Sequence, residues 1–268
     1  MIHILTVHWK DDRWVDIQLE YFKKHIREPY KVYAFLNSLP RDHRGKYFHS
    51  STEDIQSHAI KLNLLADMAI LHADNDDDWL MFIDGDAFPI GDIVSFAHRK
   101  LREYPLLAIQ RKENVGDIRP HPSFCITTVK FWKEIKGDWK SDHKWRDATG
   151  NEFTDPGGNL FSILENRKIR WFPLLRSNKT ELHQIFFGIF EDLIYHHGAG
   201  FRQPYARVDL QRYTTEKIPF IGILLKKRRE KIMWRRIVKE NKILSERVYQ
   251  SILSDTNFYK FFLESDHR

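Results

Sequence analysis

A short apolar run in the first third of the chain constrains the fold more than any other feature. Trp79 to Ile83 has the length of a strand and is too short for a buried helix, so it predicts a strand covered on both faces. The run ends in Asp84-Gly85-Asp86. Ligands bind at the carboxyl ends of strands in open α/β sheets, and two carboxylates suit a hard cation, so the motif predicts a Mg²⁺ or Mn²⁺ site. An Asp-Gly turn without a ligand is the alternative.

The segments before the motif predict the opening of a doubly wound sheet. Residues 2–7 and 31–36 are typical of strands, residues 16–26 of a helix between them, and residues 57–71 of a second helix. The second helix is predicted to bury one apolar stripe, formed by Ile60, Leu64, Leu65, Met68 and Leu71. No Gly-x-Gly-x-x-Gly follows the first strand, which argues against a dinucleotide dehydrogenase.

The motif strand and the helix before it resemble the Asp-x-Asp region of nucleotide-sugar-dependent glycosyltransferases of the GT-A fold, over residues 58–92. The resemblance implies an α/β, GT-A-like (Rossmann-type) domain over residues 1–218, with a mostly parallel sheet flanked by helices. It implies that Asp84 and Asp86 bind Mn²⁺ or Mg²⁺ against the diphosphate of a UDP- or GDP-linked sugar. The acceptor would be a saccharide hydroxyl, on a glycan or a lipid-linked saccharide.

The same resemblance places the nucleotide beside the loop that follows the first strand. The residues implied to contact it, besides the two motif aspartates, are Thr6, His8, Trp9, Asp11, Lys61, Gly85 and Arg202. Trp9 or Trp14 would stack on the base, and packing of both tryptophans inside the protein is the alternative. Asp11 or Asp12 would accept a hydrogen bond from the ring N–H of the base. Lys61 would reach the diphosphate as a point charge, or would be an ordinary solvated lysine.

Two histidines late in the chain, His196 and His197, precede a glycine-rich turn. Neutral imidazole is a good ligand for Mn²⁺. Glycogenin-like enzymes, which this stretch resembles, close the metal site with a histidine in a His-x-x-Gly-x-x-Lys-Pro pattern. The matching positions are His197, Gly200 and Pro204, with Gln203 in place of the lysine and Arg202 able to take over its phosphate contact. His197 is therefore the predicted third ligand, and His196 is the substitute.

A carboxylate before a helix is the candidate general base. Asp155 precedes Pro156-Gly157-Gly158, and in inverting enzymes of the resembled fold the base is often a carboxylate near a helix start. A plain helix N-cap is the alternative function of Asp155, and Glu152 and Asp147 are the competing carboxylates. His197 indicates a retaining enzyme and Asp155 an inverting one, so the stereochemistry stays open at this point.

The C-terminal quarter differs in composition from the rest of the chain. From Pro219 onwards, cations are interspersed with apolar residues, which predicts a basic helical extension over residues 219–268. An anionic membrane surface is one partner that such a helix suits, and packing on the domain is the alternative. Nucleic acid is disfavoured because no zinc-finger or RNA-recognition signature is present.

Composition and the N-terminus favour a cytoplasmic protein with at most peripheral membrane contact. Cys125 is the only cysteine, so no disulfide can form within the chain, and no signal peptide is expected from the N-terminal residues. The net charge of +6 favours polyanionic partners. Two alternative functions remain: a metal-dependent nucleotidyltransferase, and a non-catalytic protein that binds membrane or nucleic acid through the basic extension.

Overall fold

The chain opens with a strand, a helix and a second strand, as the apolar periodicity predicts. The structure, a computed structural model, describes residues 1–113, 116–146, 150, 152–178, 188–198 and 223–264. The helices in these residues are α1 (Arg13–His25), α2 (His58–Leu71), α3 (Ile93–Lys100), α4 (Val129–Ile135), α5 (Gly158–Asn166), α6 (Ile223–Ser254) and α7 (Tyr259–Glu264), besides a 3-10 turn at Arg44–Lys46. The strands are β1 (Ile2–Trp9), β2 (Tyr30–Asn37), β3 (His49–Ser51), β4 (Trp79–Asp84), β5 (Ala87–Pro89), β6 (Leu106–Ile109), β7 (His121–Thr128), β8 (Trp145–Arg146), β9 (Glu152–Phe153), β10 (Phe172–Leu174), β11 (Gly188–Phe190) and β12 (Ile194–His196).

In the described part of the chain, seven strands form the central sheet, in the order β10-β6-β7-β4-β1-β2-β3. Every neighbouring pair is parallel except those of β7, which runs antiparallel to both β4 and β6. The predicted α/β fold with a mostly parallel sheet is therefore confirmed. One edge of this sheet collects the carboxyl ends of β2, β1, β4 and β6 and the amino end of β7. We call it the carboxyl edge.

The motif strand β4 lies in the middle of the sheet and is covered on both faces. Leu80 and Phe82 belong to a buried cluster with residues of α2, α4 and α5. Met81 and Ile83 belong to a second cluster, on the opposite face, with residues of α1 and α3. Successive strand side chains point to opposite faces, so an apolar run without alternation is what a strand buried on both faces requires.

The apolar stripe predicted for α2 is wrong. Leu65 is buried, but Ile60 and Leu64 are exposed, and Leu71 is 78% exposed. The helix instead buries Ala59, Lys61, Leu62, Leu65, Ala66 and Ala69. The apolar residues of α2 are distributed around its whole circumference, so their spacing does not single out a buried face. The small alanines allow the helix to pack closely on the sheet.

A second, three-stranded sheet has the order β11-β12-β5 and lies next to the motif. A tight turn joins β11 to β12, with positive φ at both Glu191 and Asp192. Two central residues with positive φ are what a short hairpin turn of the primed type needs. Strand β12 then pairs antiparallel with β5, which begins directly after Asp86.

The chain divides into two compact units. The first consists of residues 1–177 and 189–196, and the second of residues 178–188 and 197–268. The second unit contains α6, a helix of 32 residues, and α7. The predicted domain boundary at residues 218 and 219 lies outside the described residues. Among the described helices, none has both the length and the apolar character needed to cross a membrane.

Candidate functional site

The Asp-Gly-Asp turn at the end of β4 is packed tightly against β1. A β-carbon on Gly85 would lie 2.6 Å from the carbonyl oxygen of Val7 and 2.7 Å from Nδ1 of His8. The motif therefore needs glycine at its centre because only a residue without a side chain fits against the neighbouring strand. The resemblance implies that Gly85 contacts the nucleotide, on the ligand side of the turn. In the structure, the side of the turn that has no room for a side chain is the side that faces β1.

A buried glutamine holds the backbone on both sides of the turn. Nε2 of Gln18, on α1, donates to the carbonyl oxygens of Asp84 and Ala87, each at 2.7 Å. The hydroxyl of Thr6 in turn donates to Oε1 of Gln18 at 3.1 Å. Thr6 and Gln18 are both fully buried. Because both amide hydrogens of Gln18 are bound to the turn, the two motif carboxylates leave the sheet in a fixed direction.

The register between β12 and β5 brings His196 to the motif. His196 lies opposite Ala87, the residue that follows Asp86. Its Nε2 is 3.5 Å from a carboxylate oxygen of Asp84 and 3.4 Å from one of Asp86. One ligand atom from each of the three side chains lies within 4.8 Å of the other two. This Asp84-Asp86-His196 set is hereafter the acid–imidazole group.

The acid–imidazole group fits a divalent metal ion. Oδ1 of Asp84 is buried and accepts no hydrogen bond from the described residues. Nε2 of His58, at the start of α2, lies 3.2 Å from this oxygen. A buried carboxylate oxygen without a donor is costly unless a cation lies beside it. Two carboxylates and one imidazole are a donor set that Mn²⁺ accepts readily and Mg²⁺ less so.

Electrostatics keep Asp84 ready to bind a cation. Burial works against ionisation of Asp84, but the neighbouring His58, His196 and Arg111 outweigh burial and lower the pKa of its carboxyl. Asp84 therefore stays ionised at neutral pH although most of its side chain is covered. Metal ligands must be deprotonated to bind, and Asp84 meets that requirement.

The imidazole beside the carboxylates is that of His196, whereas the sequence favoured His197. His197 belongs to the second unit and is buried. The difference arises because the β12–β5 pairing directs alternate side chains to opposite faces, and His196 is the residue in register with the motif. We therefore take His196 as the third member of the site in place of His197.

Some of the residues predicted to contact the nucleotide are buried, and others are exposed. Thr6 and His8 are buried beneath the Asp-Gly-Asp turn, so they support the motif and do not face a ligand. Trp14 is also buried, with its ring centroid 6.4 Å from that of Phe88. Trp9, at the carboxyl end of β1, is 52% exposed. Of the two candidate tryptophans, only Trp9 is open to a base.

The polar candidates beside Trp9 have partners in the protein. Asp11 accepts hydrogen bonds from the backbone N–H and Nε of Arg13 at 3.0 and 2.9 Å. Asp12 accepts from Arg41 at 2.7 Å and pairs with His43 at 3.0 Å, and these contacts lower the pKa of the Asp12 carboxyl to about 2. Both carboxylates therefore shape the loop after β1.

Lys61 is not the solvated lysine that the sequence allowed as an alternative. Only 3% of Lys61 is exposed, and its ammonium donates to Oδ1 of Asn37 at 2.8 Å. Asn37 is the last residue of β2, so the ammonium lies at the carboxyl edge. Burial lowers the pKa of Lys61. The positive charge is thus held beside β1 and β2, at the edge where the resemblance expected a cation.

Asp155 does not cap a helix. Helix α5 begins at Gly158 with Gly157 as its N-cap, so the simple N-cap alternative for Asp155 is wrong. Oδ2 of Asp155 instead accepts a hydrogen bond from Nη2 of Arg119 at 2.6 Å, and the side chain of Asp155 is 55% exposed. Glu152, on β9, is exposed and lies 3.5 Å from Arg146. Asp147 and Arg202 lie outside the described residues.

Four side chains of this region were missed by the sequence reasoning: Gln18, His58, Arg111 and His121. Arg111 follows β6 and His121 begins β7, so both lie at the carboxyl edge. The ring centroids of His121 and His196 are 6.2 Å apart, and the charge of Arg111 acts on Asp84 and Asp155. A search for charged residues within two positions of each strand end would have found Arg111. No comparable signal marks Gln18, which is an inward-facing residue of a helix.

No protein-family model matches the chain, and no curated protein matches it either. Its fold is similar to those of several solved glycosyltransferases. The mannosyltransferase PcManGT from Pyrobaculum calidifontis, in complex with GDP-Man and Mn²⁺, matches with a TM-score of 0.45 and 10% identity, over 68% of this chain and 58% of its own. The catalytic domain of Drosophila beta1,4galactosyltransferase 7, in complex with xylobiose, matches with a TM-score of 0.40 and 15% identity, over 87% and 79%.

TarS of S. aureus matches with a TM-score of 0.38 and 12% identity, over 52% of this chain and 30% of its own. The chain thus spans less than two thirds of the length of PcManGT and of TarS. Similarity at this level concerns the course of the chain and not the substrate.

Proposed function

We propose that this chain is a glycosyltransferase that moves a sugar from a nucleotide-sugar donor to a saccharide hydroxyl, with a divalent metal held by Asp84, Asp86 and His196. The observation that carries the proposal is the convergence of these three side chains within 4.8 Å at the end of a central strand. The pKa of Asp84 is lowered, so the group presents an ionised, largely buried carboxylate to a cation. A Mn²⁺ or Mg²⁺ ion held there would neutralise the charge of the departing diphosphate.

The nucleoside is proposed to lie over the carboxyl ends of β1 and β2. Trp9 is exposed there and offers a ring on which a base can stack, as aromatic side chains do in other nucleotide sites. Lys61 is fixed by Asn37 at the same edge, which supports a role for its ammonium near the diphosphate. The donor is proposed to be UDP- or GDP-linked, as the resemblance to GT-A enzymes implies.

The acceptor is proposed to lie on the other side of the acid–imidazole group, over β7 and β6. The order of strands supports this arrangement, since β4 separates β1 from β7. Burial lowers the pKa of Arg111 and the negative charge of Asp155 opposes this shift, while the positive charge of Arg111 helps to lower the pKa of Asp84. These electrostatic interactions support the view that the three side chains lie in one region. Asp155 is proposed as the carboxylate that takes the proton from the attacking hydroxyl, with Glu152 as the competing residue.

The test is a screen of UDP- and GDP-linked sugars for Mn²⁺-dependent release of nucleoside diphosphate. We expect turnover with at least one donor and nearly none in Asp86→Asn, because the variant loses a charged ligand. Asp77→Asn is the matched control, because Asp77 is an exposed carboxylate at the opposite end of β4. Release of pyrophosphate from a nucleoside triphosphate instead would favour the nucleotidyltransferase, and no turnover with any donor would contradict the proposal.

We propose further that α6 contacts an anionic membrane surface. The helix carries ten Lys and Arg residues against three Glu. Its exposed face combines cations such as Arg235 and Lys239 with two apolar residues, Ile232 and Ile243, which are 58% and 52% exposed. Cations bind anionic lipid headgroups. Exposed apolar side chains among the cations favour a lipid surface over a nucleic acid, because they can insert among the lipids.

A further inference from the structure

A hollow on the surface of the first unit lies where the chain enters β10. Its walls come from the end of α5, from the residues that lead into β10 and from Tyr104, in the turn before β6. Its volume is about 550 Å³. Sites for small molecules occupy about 300–1,000 Å³, so this hollow, hereafter the β10 hollow, is large enough for an organic ligand.

The β10 hollow lies at the opposite end of the sheet from the acid–imidazole group. Tyr104 and Trp171 precede the parallel strands β6 and β10, whereas Arg111 follows β6 at the carboxyl edge. A strand rises about 3.3 Å per residue, so roughly 20 Å separates Tyr104 from Arg111. The β10 hollow is therefore distinct from the proposed active site.

Aromatic rings line the β10 hollow. The rings of Tyr104 and Phe172 meet edge to face, with their centroids 5.5 Å apart. Trp171 packs against the core and stays partly exposed. The C–H groups of a sugar ring form an apolar face that stacks on aromatic rings, whose own faces carry partial negative charge. The lining thus suits a ligand that contains such a ring.

Three cations accompany these aromatic rings. Lys168 and Arg170 are exposed and line the hollow. Arg170 lies 5.6 Å from the centroid of the Tyr104 ring and donates to its hydroxyl at 3.4 Å. Nζ of Lys100 lies 4.4 Å from the centroid of the Phe172 ring. In the described part of the chain, none of the three cations forms an ion pair with a carboxylate, so an acidic ligand need not displace one.

The backbone at Lys168 has a conformation that favours glycine. The N–H of Lys168 donates to the carbonyl oxygen of Glu165 at 3.0 Å, and the N–H of Ile169 donates to that of Leu164 at 2.9 Å. These two bonds form a Schellman cap at the end of α5, and Lys168 is the left-handed residue of the cap, with φ of 55°. Glycine is the usual residue there, so this lysine adds a charge to the hollow at the cost of backbone strain.

We infer that the β10 hollow binds an acidic saccharide, with a sugar ring on Trp171 and its carboxylate or phosphate group against Lys168 and Arg170. Charge-assisted hydrogen bonds of this kind are about twice as strong as neutral ones. The cations outnumber Glu165, an acidic residue of the lining. The choice of a saccharide rests on the proposed function, which needs an acceptor. An acceptor that spans both sites is held at two points, which raises its affinity.

The experiment is calorimetry on the full chain, without nucleotide or metal. The probes are tetragalacturonate, its fully methyl-esterified neutral form, and tripolyphosphate, an anion without a ring. We expect tetragalacturonate to bind about tenfold tighter than either of the others, because it alone combines sugar rings with acidic groups.

Lys168→Gly should abolish this preference while the protein stays folded, because glycine adopts the left-handed conformation without strain. Lys136→Gly is the matched control: Lys136 is an exposed lysine with φ of 53° at the end of α4, and it does not line the hollow. The control should keep the preference. Arg170→Gln should weaken it independently.

Equal binding of the acid and its ester overturns the inference, as does a preference that survives in both Lys168→Gly and Arg170→Gln. Tripolyphosphate binding that is as tight, and as dependent on Lys168, would show an anion site that does not select saccharides. Acid-selective saccharide binding in a protein that turns over no nucleotide sugar would keep the β10 hollow and contradict only the proposed function. Turnover without the acid preference would do the reverse.

Discussion

The imidazole of His196 lies 3.4 Å from the carboxylate of Asp86 because a three-residue strand pair aligns them. The two residues are far apart in the sequence, and only the register of β12 on β5 decides which side chain reaches the motif. A slip of one residue would present a different neighbour of His196 to the carboxylates. The identity of the third ligand is therefore a property of strand pairing.

His196→Ala should weaken Mn²⁺ binding while His197→Ala should leave it close to the wild-type value. Loss of an outer-shell partner alone typically costs about 10–100-fold in metal affinity, so loss of the ligand itself should cost at least as much. Electron paramagnetic resonance of free Mn²⁺ measures the affinity directly, without a donor. Asp84→Asn and Asp86→Asn should show losses of similar size. If His197→Ala is the weaker binder of the two histidine variants, the assignment of His196 fails.

Gly85→Ala should destabilise the protein and displace the motif carboxylates. The new methyl group would stand 2.6 Å from the Val7 carbonyl oxygen, so β1 or the turn must shift. Overpacking of this kind typically costs about 1–3 kcal/mol. Thermal unfolding gives the stability change, and Mn²⁺ affinity reports the displacement. Gly45→Ala is the control, since a β-carbon on Gly45 meets no atom within 4 Å. Equal stability and metal affinity in both variants would show that the turn has room to spare.

The sequence predicts the centre of the site better than its surroundings. Trp79 to Ile83 could be assigned because an apolar run between polar turns has few other structures. The buried face of α2 could not be assigned, because apolar residues occur on all sides of this helix and because Lys61 is one of the buried residues. His196 and His121 reach the site through short or bulged strand pairings, at β12–β5 and at β6–β7. Such pairings depend on the folded sheet and have little local signal.

Asp155→Asn should lower turnover about 10²–10⁴-fold, the usual range for loss of a general base, while nucleotide affinity stays near normal. The asparagine keeps an oxygen for the hydrogen bond from Arg119 but loses the charge, so the local structure is largely preserved. Steady-state kinetics with the donor found in the screen would measure it, with Glu152→Gln as the control. Unchanged turnover together with earlier thermal unfolding would show that Asp155 serves only to bind Arg119.

Acid should destabilise the protein partly through His8. Burial lowers the pKa of His8 from 6.5 to about 4. In the unfolded chain, His8 therefore binds a proton below pH 6.5, whereas in the folded chain it binds one only below about pH 4. This contribution to stability is complete above pH 6.5 and is lost as the pH falls towards 4, with a slope of up to about 1.4 kcal/mol per pH unit.

His8→Asn should make the loss of stability over this pH window shallower, measured by urea unfolding at a series of pH values. His72→Asn, a substitution of an exposed histidine, should leave the His8 contribution in place. A wild-type slope in His8→Asn would mean that His8 binds its proton equally in both states.

The last prediction concerns the exposed cations of α6. Arg235→Gln together with Lys239→Gln should weaken binding to vesicles of phosphatidylcholine and phosphatidylglycerol by about 2 kcal/mol. Each basic residue near such a surface contributes ~1 kcal/mol. Added salt should weaken wild-type binding for the same reason, because it screens exposed charges. Co-sedimentation measures both effects, and phosphatidylcholine vesicles alone should bind little.

The matched control is Arg99→Gln together with Lys130→Gln, which removes the same charge from exposed positions of α3 and α4. Ile232→Ser tests the apolar part of the α6 face separately, and it should weaken vesicle binding without changing the salt dependence. If the α6 and control variants bind vesicles equally, the surface of α6 is not a membrane contact. If the α6 variant loses affinity for duplex DNA but not for vesicles, the basic helix has a nucleic acid partner instead.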